Sequence, residues 1–242
     1  MILKPFKISI LLAMAITLVM ASACEKTGSG MDKEGDLIDI PYEPQPAFIE
    51  QQQEFPVMEF PDDNPLTMDG IQLGRMLFFD PILSSDSTMS CSSCHLPEAS
   101  FTDRLAVSPG VTGAVGRRSA MSLVNLGYAN NEFFWDGRSK TLEEQALLPV
   151  EDPIELHEEW PNVEEKFRNH PDYPTLFRKA FGIDDRSKIT KELAGKALAQ
   201  FERTLVVGKG SRFYDVFVLE NDFPTDEELR GYLMFFDASN GA

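Results

Sequence analysis

The chain has 242 residues, which is enough for one large domain or two small ones, and its formal net charge is −17. Asp and Glu outnumber Lys and Arg by 39 to 22, which argues against a nucleic-acid-binding protein. The simplest interpretation of this acidity is solubility, and the alternative is electrostatic steering of a cationic partner.

The first 23 residues have the features of an export signal. Lys4 and Lys7 precede an apolar run over 8–20 that is too short to span a bilayer, and small residues follow at 21–23. The small residues fit cleavage at an A-x-A site, or a lipobox that would lead to lipidation of Cys24. We favour lipidation, because it explains an unpaired cysteine in an exported protein, although Ala21 stands where lipoboxes usually have Leu. The sequence therefore predicts the periplasm or cell envelope, with membrane contact only through a lipid anchor.

Residues 24–54 are predicted to form a flexible tether, because they are rich in Pro, Gln, Glu and Gly without a helical period. An extended segment follows, in which Pro56, Pro61 and Pro65 exclude a long helix.

From Asp69 onward the sequence predicts an all-α fold with long ordered loops. Asp69 is a candidate cap for the first helix, Thr190 for the most strongly amphipathic one, and Thr225 or Asp226 for the last. Gly182 is a candidate C-cap. The predicted helices cover residues 70–79, 141–148, 160–169, 174–181, 191–205 and 227–236, and a loop covers 81–118.

The most specific chemical motif is C-x-x-C-H at Cys91, Cys94 and His95, the pattern of covalent c-type haem attachment. Two thiols one turn apart can bind the two vinyl groups of one porphyrin, and the adjacent His becomes the axial iron ligand. A redox dithiol would need a βαβ setting, and a zinc site would need a second ligand pair; the sequence supplies neither. His157 and His170 are interpreted as surface or structural residues.

A seven-residue sequence from the predicted first helix is repeated near the C-terminus. Residues 74–80 and 231–237 share four of seven identities at an offset of 157 residues. This repeat predicts that residues 226–242 begin a second, truncated haem domain after a first domain over 55–225.

Together these motifs resemble the bacterial di-haem cytochrome c peroxidases, a family that includes MauG proteins. The resemblance covers roughly 55–242 and is carried by these residues: 73–80, 83–84, 90–95, 101–103, 116–118, 134–138, 142–146, 149, 153–156, 169–173 and 197–205. It implies a c-type cytochrome-like fold, one haem c in this chain and a second in the full-length protein. Hydrogen peroxide would be the substrate, with electrons from a small cytochrome c or another periplasmic donor, and a homodimer is an open alternative.

The resemblance also implies site residues by position. Glu155 matches a distal acid that exchanges protons with peroxide, Gln145 a distal amide, and Trp135 an electron bridge between the two haems. Two positions depart from the family pattern. The position of a blocking His falls near Val111, which predicts an open, five-coordinate haem, and Ser119 replaces an Asn beside a calcium site, which puts calcium in doubt.

Two alternatives to the peroxidase remain open from the sequence. One is a MauG-like oxidase that acts on a protein substrate. The other is a mono-haem electron-transfer module without enzymatic activity, in which Met121 or His157 could provide a second axial ligand.

Overall fold

A computed structural model describes residues 35–53, 55–129 and 132–237 of the chain. The predicted signal, Cys24 and residues 238–242 lie outside the described residues. The described ranges contain six α-helices and isolated β-bridges but no extended strand, so the all-α prediction is confirmed. The helices are α1 (Met68–Phe79), α2 (Leu142–Glu151), α3 (Trp160–Asn169), α4 (Tyr173–Phe181), α5 (Lys191–Arg203) and α6 (Asp226–Phe236). None of the described helices is long and apolar enough to cross a membrane.

The helix ends follow local hydrogen-bonding rules. Thr141 caps α2 by accepting from the backbone N–H of Glu144, and Gly182 ends α4 in the left-handed conformation at the expected C-cap position. The expectation for Asp69 is wrong, because α1 begins two residues earlier, where the Thr67 hydroxyl accepts from the N–H of Gly70. Helix α2 runs three residues past the predicted end and includes Pro149 in its last turn.

The core forms where α1 crosses α5. A Cβ atom on Gly74 would lie only 1.9 Å from the carbonyl oxygen of Ala197, so the two backbones approach as closely as glycine allows. Leu73, Leu77 and Phe78 of α1 are fully buried in this core. The main core also takes in fully buried residues of α3, α4 and α5, including Val163, Phe167, Tyr173, Phe177, Ala194 and Ala197.

The described part of the predicted tether is packed against the helical domain. The Leu37 side chain is 3% exposed, and its backbone N–H donates to the carbonyl of Asp184 over 3.0 Å. Farther along, the N–H of Ala47 donates to the carbonyl of Leu66. Residues 35–53 are therefore a strap on the domain surface and not a free tether, because Leu37 supplies an apolar anchor that the polar composition hides.

Helix α6 differs from the others because none of its side chains is buried. It begins with a capping box between Thr225 and Glu228, which confirms the expected start. Within the described ranges, its aromatic partners outside the helix are Phe213 and Phe217. Phe217, in the π-helical segment Tyr214–Val218, stacks on Tyr232 at 4.3 Å with the rings nearly parallel.

Candidate haem site

A cavity of about 470 Å³ opens between the C-x-x-C-H turn, the loop over 108–121 and helices α2 and α5. Most of its lining is apolar, as in other cofactor sites. Its apolar lining includes Phe78, Met89, Leu123, Phe134, Ala146, Pro149, Leu156 and Leu198.

The three residues of the haem-attachment motif line this cavity together. Cys91–Ser93 forms a single 3₁₀ turn, and the N–H groups of Cys94 and His95 both donate to the carbonyl of Cys91. Both cysteines are free thiols. Burial raises the pKa of Cys91 to about 12, so its thiol is uncharged and available for attachment to a vinyl group.

His95 is held in one tautomer. Its Nδ1 lies 2.8 Å from the carbonyl oxygen of Phe101, which can only accept, so Nδ1 carries the hydrogen and Nε2 keeps its lone pair. Burial lowers the pKa of His95, which favours the neutral imidazole. A neutral His with its second nitrogen hydrogen-bonded to a carbonyl is the usual arrangement of an iron ligand.

Gln145 and Glu155 line the same cavity. Gln145 is 7% exposed, and its buried Oε1 has no hydrogen-bond partner among the described residues. Glu155 lines the cavity and is itself exposed. Partial desolvation raises the pKa of Glu155, Asp152 raises it further, and Arg138 partly opposes them.

The loop at Val111 is tied to the Glu155 loop by backbone atoms. The N–H of Val111 donates to the carbonyl of Glu155 over 2.9 Å, and a Cβ on Gly110 would lie 1.6 Å from the carbonyl oxygen of Ile154. Of the three histidines, all in described ranges, only His95 lines the cavity. His157 is exposed, and His170 packs on Tyr173, away from the cavity.

Trp135 lies at the rim of the cavity and is 62% exposed. Its indole N–H donates to the carbonyl of Ser119 over 2.9 Å, which fixes the ring orientation. Asp136 beside it pairs with Arg118 and Arg138, and both arginines also line the cavity. Within the described ranges, no three His, Cys, Asp or Glu side chains cluster as a metal site. Calcium binding between the haems therefore remains a prediction from the sequence.

Sequence reasoning missed one acidic group of the site. Glu202 of α5 lines the cavity, is 5% exposed, and its Oε2 has no hydrogen-bond partner among the described residues. Its neighbour Arg203 is bound by both carboxylate oxygens of Glu143, at 2.7 and 3.2 Å. The signal that could have found Glu202 is its position one turn after Leu198, at the edge of the apolar stripe of α5.

The residues present fit a covalent haem. Two thiols and a neutral His share an apolar cavity with Gln145 and Glu202, each of which has a buried oxygen without a partner. The helical fold and this site define a c-type haem protein of the cytochrome c-like class.

Comparison with known proteins identifies the family. Residues 68–222 match the di-haem cytochrome c peroxidase family, and the chain belongs to that family. It is 36% identical over 180 residues to a cytochrome c551 peroxidase of Nitrosomonas europaea, covering 74% of this chain and 52% of that protein. It is 35% identical over 176 residues to the methylamine utilization protein MauG of Methylorubrum extorquens, covering 72% and 48%. The chain thus spans about half the length of these relatives.

The solved structures agree with this assignment. A MauG-like protein associated with microbial copper homeostasis superimposes with a TM-score of 0.70 at 33% identity, over 78% of this chain and 55% of that one. The di-haem peroxidase BthA of Burkholderia thailandensis has a TM-score of 0.60 at 24% identity, over 81% and 55%, and supports the fold.

Proposed function

We propose that the chain is the peroxide-reacting part of an exported di-haem cytochrome c peroxidase. The full-length protein would reduce hydrogen peroxide to water with electrons from a cytochrome c-type donor. The single observation that carries the proposal is Glu155, a carboxyl of raised pKa in the same apolar cavity as His95 and Gln145. An electron-transfer protein has no need of a proton-exchanging acid in its haem cavity.

The overall reaction is H₂O₂ + 2 H⁺ + 2 e⁻ → 2 H₂O, in which the electrons come from the cytochrome c-type donor and a haem held by Cys91, Cys94 and His95 would supply the redox chemistry that passes them to peroxide. Glu155 would accept a proton from one peroxide oxygen and return it to the oxygen that leaves as water. Its raised pKa makes Glu155 easier to protonate than an ordinary Glu, which suits a group that accepts a proton and then returns it. The Gln145 amide would orient the peroxide, and the apolar lining would exclude competing water.

The second haem domain is supported by the internal repeat. Met234 and Phe235 of α6 occupy the repeat positions of Leu77 and Phe78 in α1. The α1 pair is 0% exposed, whereas Met234 is 66% and Phe235 73% exposed. We infer that a second domain covers this face of α6. Trp135, exposed at the rim of the first cavity, would be the electron bridge to that domain.

Replacing Glu155 tests the proposal. In the full-length, haem-loaded protein, Glu155→Gln should lower peroxide turnover by about 10²–10⁴-fold, because general acid–base catalysis contributes on that scale. The measurement is oxidation of a reduced cytochrome c at saturating peroxide, with haem content verified by absorbance.

Glu151→Gln is the matched control. Glu151 is the last residue of α2, four positions before Glu155; it is exposed and does not line the cavity. Equal turnover in the two variants would remove Glu155 from the chemistry. A full-length wild-type protein that consumes neither peroxide nor reduced cytochrome c would overturn the proposed function.

A MauG-like oxidase acting on a protein substrate is the second candidate. It is favoured by the superposition on a MauG-like structure and by the absence of a His near Val111. With either function, the absence of a His near Val111 predicts an open haem site, and a ferric spectrum of a six-coordinate low-spin first haem would contradict that prediction. Peroxide-dependent oxidation of reduced cytochrome c separates them, because only the peroxidase should turn over with it.

The location and remaining partners are proposed from sequence alone. We infer export to the periplasm or cell envelope with removal of residues 1–23, and lipidation at Cys24. A homodimer and a calcium ion remain predictions.

A further inference from the structure

The carbonyl group that faces His95 belongs to a turn with an uncommon backbone conformation. Ser100 and Phe101 are consecutive residues other than glycine, and their φ angles are +58° and +57°. This left-handed conformation is unfavourable for L-amino acids, because it brings Cβ too close to the following carbonyl oxygen. Such backbone persists only where the surrounding structure fixes it, and it is often found at functional positions.

The turn lets Phe101 contact two different neighbours at once. Its side chain packs edge to face on Phe78 of the core, with the ring centroids 6.0 Å apart. Its carbonyl oxygen lies 2.8 Å from Nδ1 of His95. Its N–H donates to the carbonyl of Leu96 over 2.8 Å, which closes the turn on the residue next to His95. The unfavourable conformation therefore directs a backbone acceptor at the candidate iron ligand.

Two hydroxyl groups tie this turn to the chain segment around Ala120. The Thr102 hydroxyl donates to the carbonyl of Ala120 over 2.5 Å, and the Ser122 hydroxyl donates to the carbonyl of Ser100 over 2.5 Å. These bonds hold the residues immediately before and after Phe101. Ala120 lines the haem cavity, so the turn is fixed to the cavity wall on both sides of the carbonyl that faces His95.

We infer that Thr102 and Ser122 are positioning residues that hold the Phe101 carbonyl against the Nδ1–H of His95. Neither side chain lines the cavity, so each acts through the turn. A hydrogen bond from Nδ1–H makes the imidazole a stronger donor at Nε2, and stronger donation favours ferric over ferrous iron. The two hydroxyls would thereby keep the reduction potential of the haem low. The inference rests on the haem ligation of the proposed function, but not on peroxidase activity.

Removing each hydroxyl tests the inference on the haem-loaded chain, whose one C-x-x-C-H motif gives one reduction potential to measure. Outer-shell partners of metal ligands commonly have effects of about tenfold, so Thr102→Val and Ser122→Ala should each raise the potential by up to about 59 mV for one electron. The Fe–His stretching frequency of the ferrous haem, measured by resonance Raman spectroscopy, should fall in both variants. Thr102→Ser, which restores a hydroxyl, should keep the wild-type values.

Thr204→Val is the matched control. The Thr204 hydroxyl also donates to a carbonyl, that of Phe201 over 2.6 Å, but Thr204 does not line the cavity. This variant should leave the potential and the stretching frequency unchanged, and an equal shift in it would contradict the inference.

The positioning role is separable from a purely structural one. Haem content by absorbance and unfolding by urea are measured for every variant. If Thr102→Val and Ser122→Ala lose stability but keep the wild-type potential and stretching frequency, the hydroxyls only stabilise the turn and the inference is wrong. Because no turnover is measured, a chain that ligates haem through His95 but lacks peroxidase activity can still confirm it.

Discussion

Glu155 and Glu202 are two carboxyls of one cavity in different surroundings. Glu155 opens into the cavity from a loop, with Asp152 and Arg138 acting on it in opposite directions. Glu202 is enclosed by helix contacts, and its adjacent arginine is already paired. Different environments give two acids in one site different roles. The proposed proton exchange with peroxide requires the accessible carboxyl, Glu155.

The pH dependence of stability should report the raised pKa of Glu202. Its ordinary value is 4.5 and its folded value about 8, so the unfolded chain releases this proton first as the pH rises. Stability is then fully present below about pH 4.5 and declines as the pH rises to about 8. Glu202→Gln should remove this decline, with a gain over the wild type on the order of a few kcal/mol near pH 8. Urea unfolding at several pH values measures it.

The control for that experiment is Glu158→Gln. Lys166 lowers the pKa of Glu158, so its stabilising effect is lost as the pH falls, in the opposite direction and in a lower range. This variant should retain the wild-type decline between about pH 5 and pH 8. A Glu202→Gln protein with that same decline would show that another group causes it.

At the residue scale, the attachment site could be predicted because two Cys and one His within five positions form the specific pattern of covalent c-type haem attachment. Glu155 and Gln145 could be assigned only through the family resemblance, since a single Glu or Gln carries no chemical signature. Glu202 could not be predicted, because its burial depends on α1, α2 and the C-x-x-C-H turn enclosing one end of α5.

Helices α1 and α6 contain the repeated sequence, but α1 is packed in the core and no side chain of α6 is buried. Gly74 lies against the backbone of α5, whereas a Cβ on Gly231 would meet nothing within 4 Å. Gly74 therefore allows close helix packing in the first copy, whereas Gly231 packs against nothing in the described part of the second.

This difference predicts opposite effects of one substitution. Gly74→Ala should destabilise the protein by about 1–3 kcal/mol or more, because its Cβ would clash with the carbonyl of Ala197. Gly231→Ala should be neutral or stabilise by up to about 1 kcal/mol, since alanine favours an exposed helix. Urea midpoints compare the two directly, and a stable Gly74→Ala protein would contradict the close approach of α1 and α5.

Helix positions were largely predictable because caps and breakers act locally. Thr141, Gly182 and the capping box at Thr225 are sequence-local signals, and the structure retains them. The start of α1 at Thr67 was missed because Asp69 is an equally good cap in isolation. The strap over 35–53 was missed because one buried residue, Leu37, anchors a segment whose composition is polar.

For the whole molecule, the exposed face of α6 is the main feature that one haem domain leaves unexplained. Large apolar side chains cover it, and the repeat counterparts of Met234 and Phe235, Leu77 and Phe78 in α1, lie in the core. The sequence repeat predicted a second domain, but the exposed state of this face could be seen only in the structure.

A paired substitution tests the covering of this face. In the present chain, Met234→Ser with Phe235→Ser should change stability by no more than about 0.5 kcal/mol, because both residues are exposed. In the full-length protein the same pair should cost about 4 kcal/mol or more, as large-to-small core changes do. Unfolding of both proteins by urea gives the comparison. Equal, small effects would show that no second domain packs there.

The backbone hydrogen bond between Val111 and Glu155 has a consequence for how haem sites of this kind can change during evolution. Since main-chain atoms make this bond, it does not depend on the side chain at position 111. A relative could carry a residue able to ligate iron there, or lose it, while the acid loop kept its course. Blocking of the haem by a ligand at position 111 and the proposed proton exchange at Glu155 are thus separable traits, and a single codon could alter the first while the second was inherited unchanged.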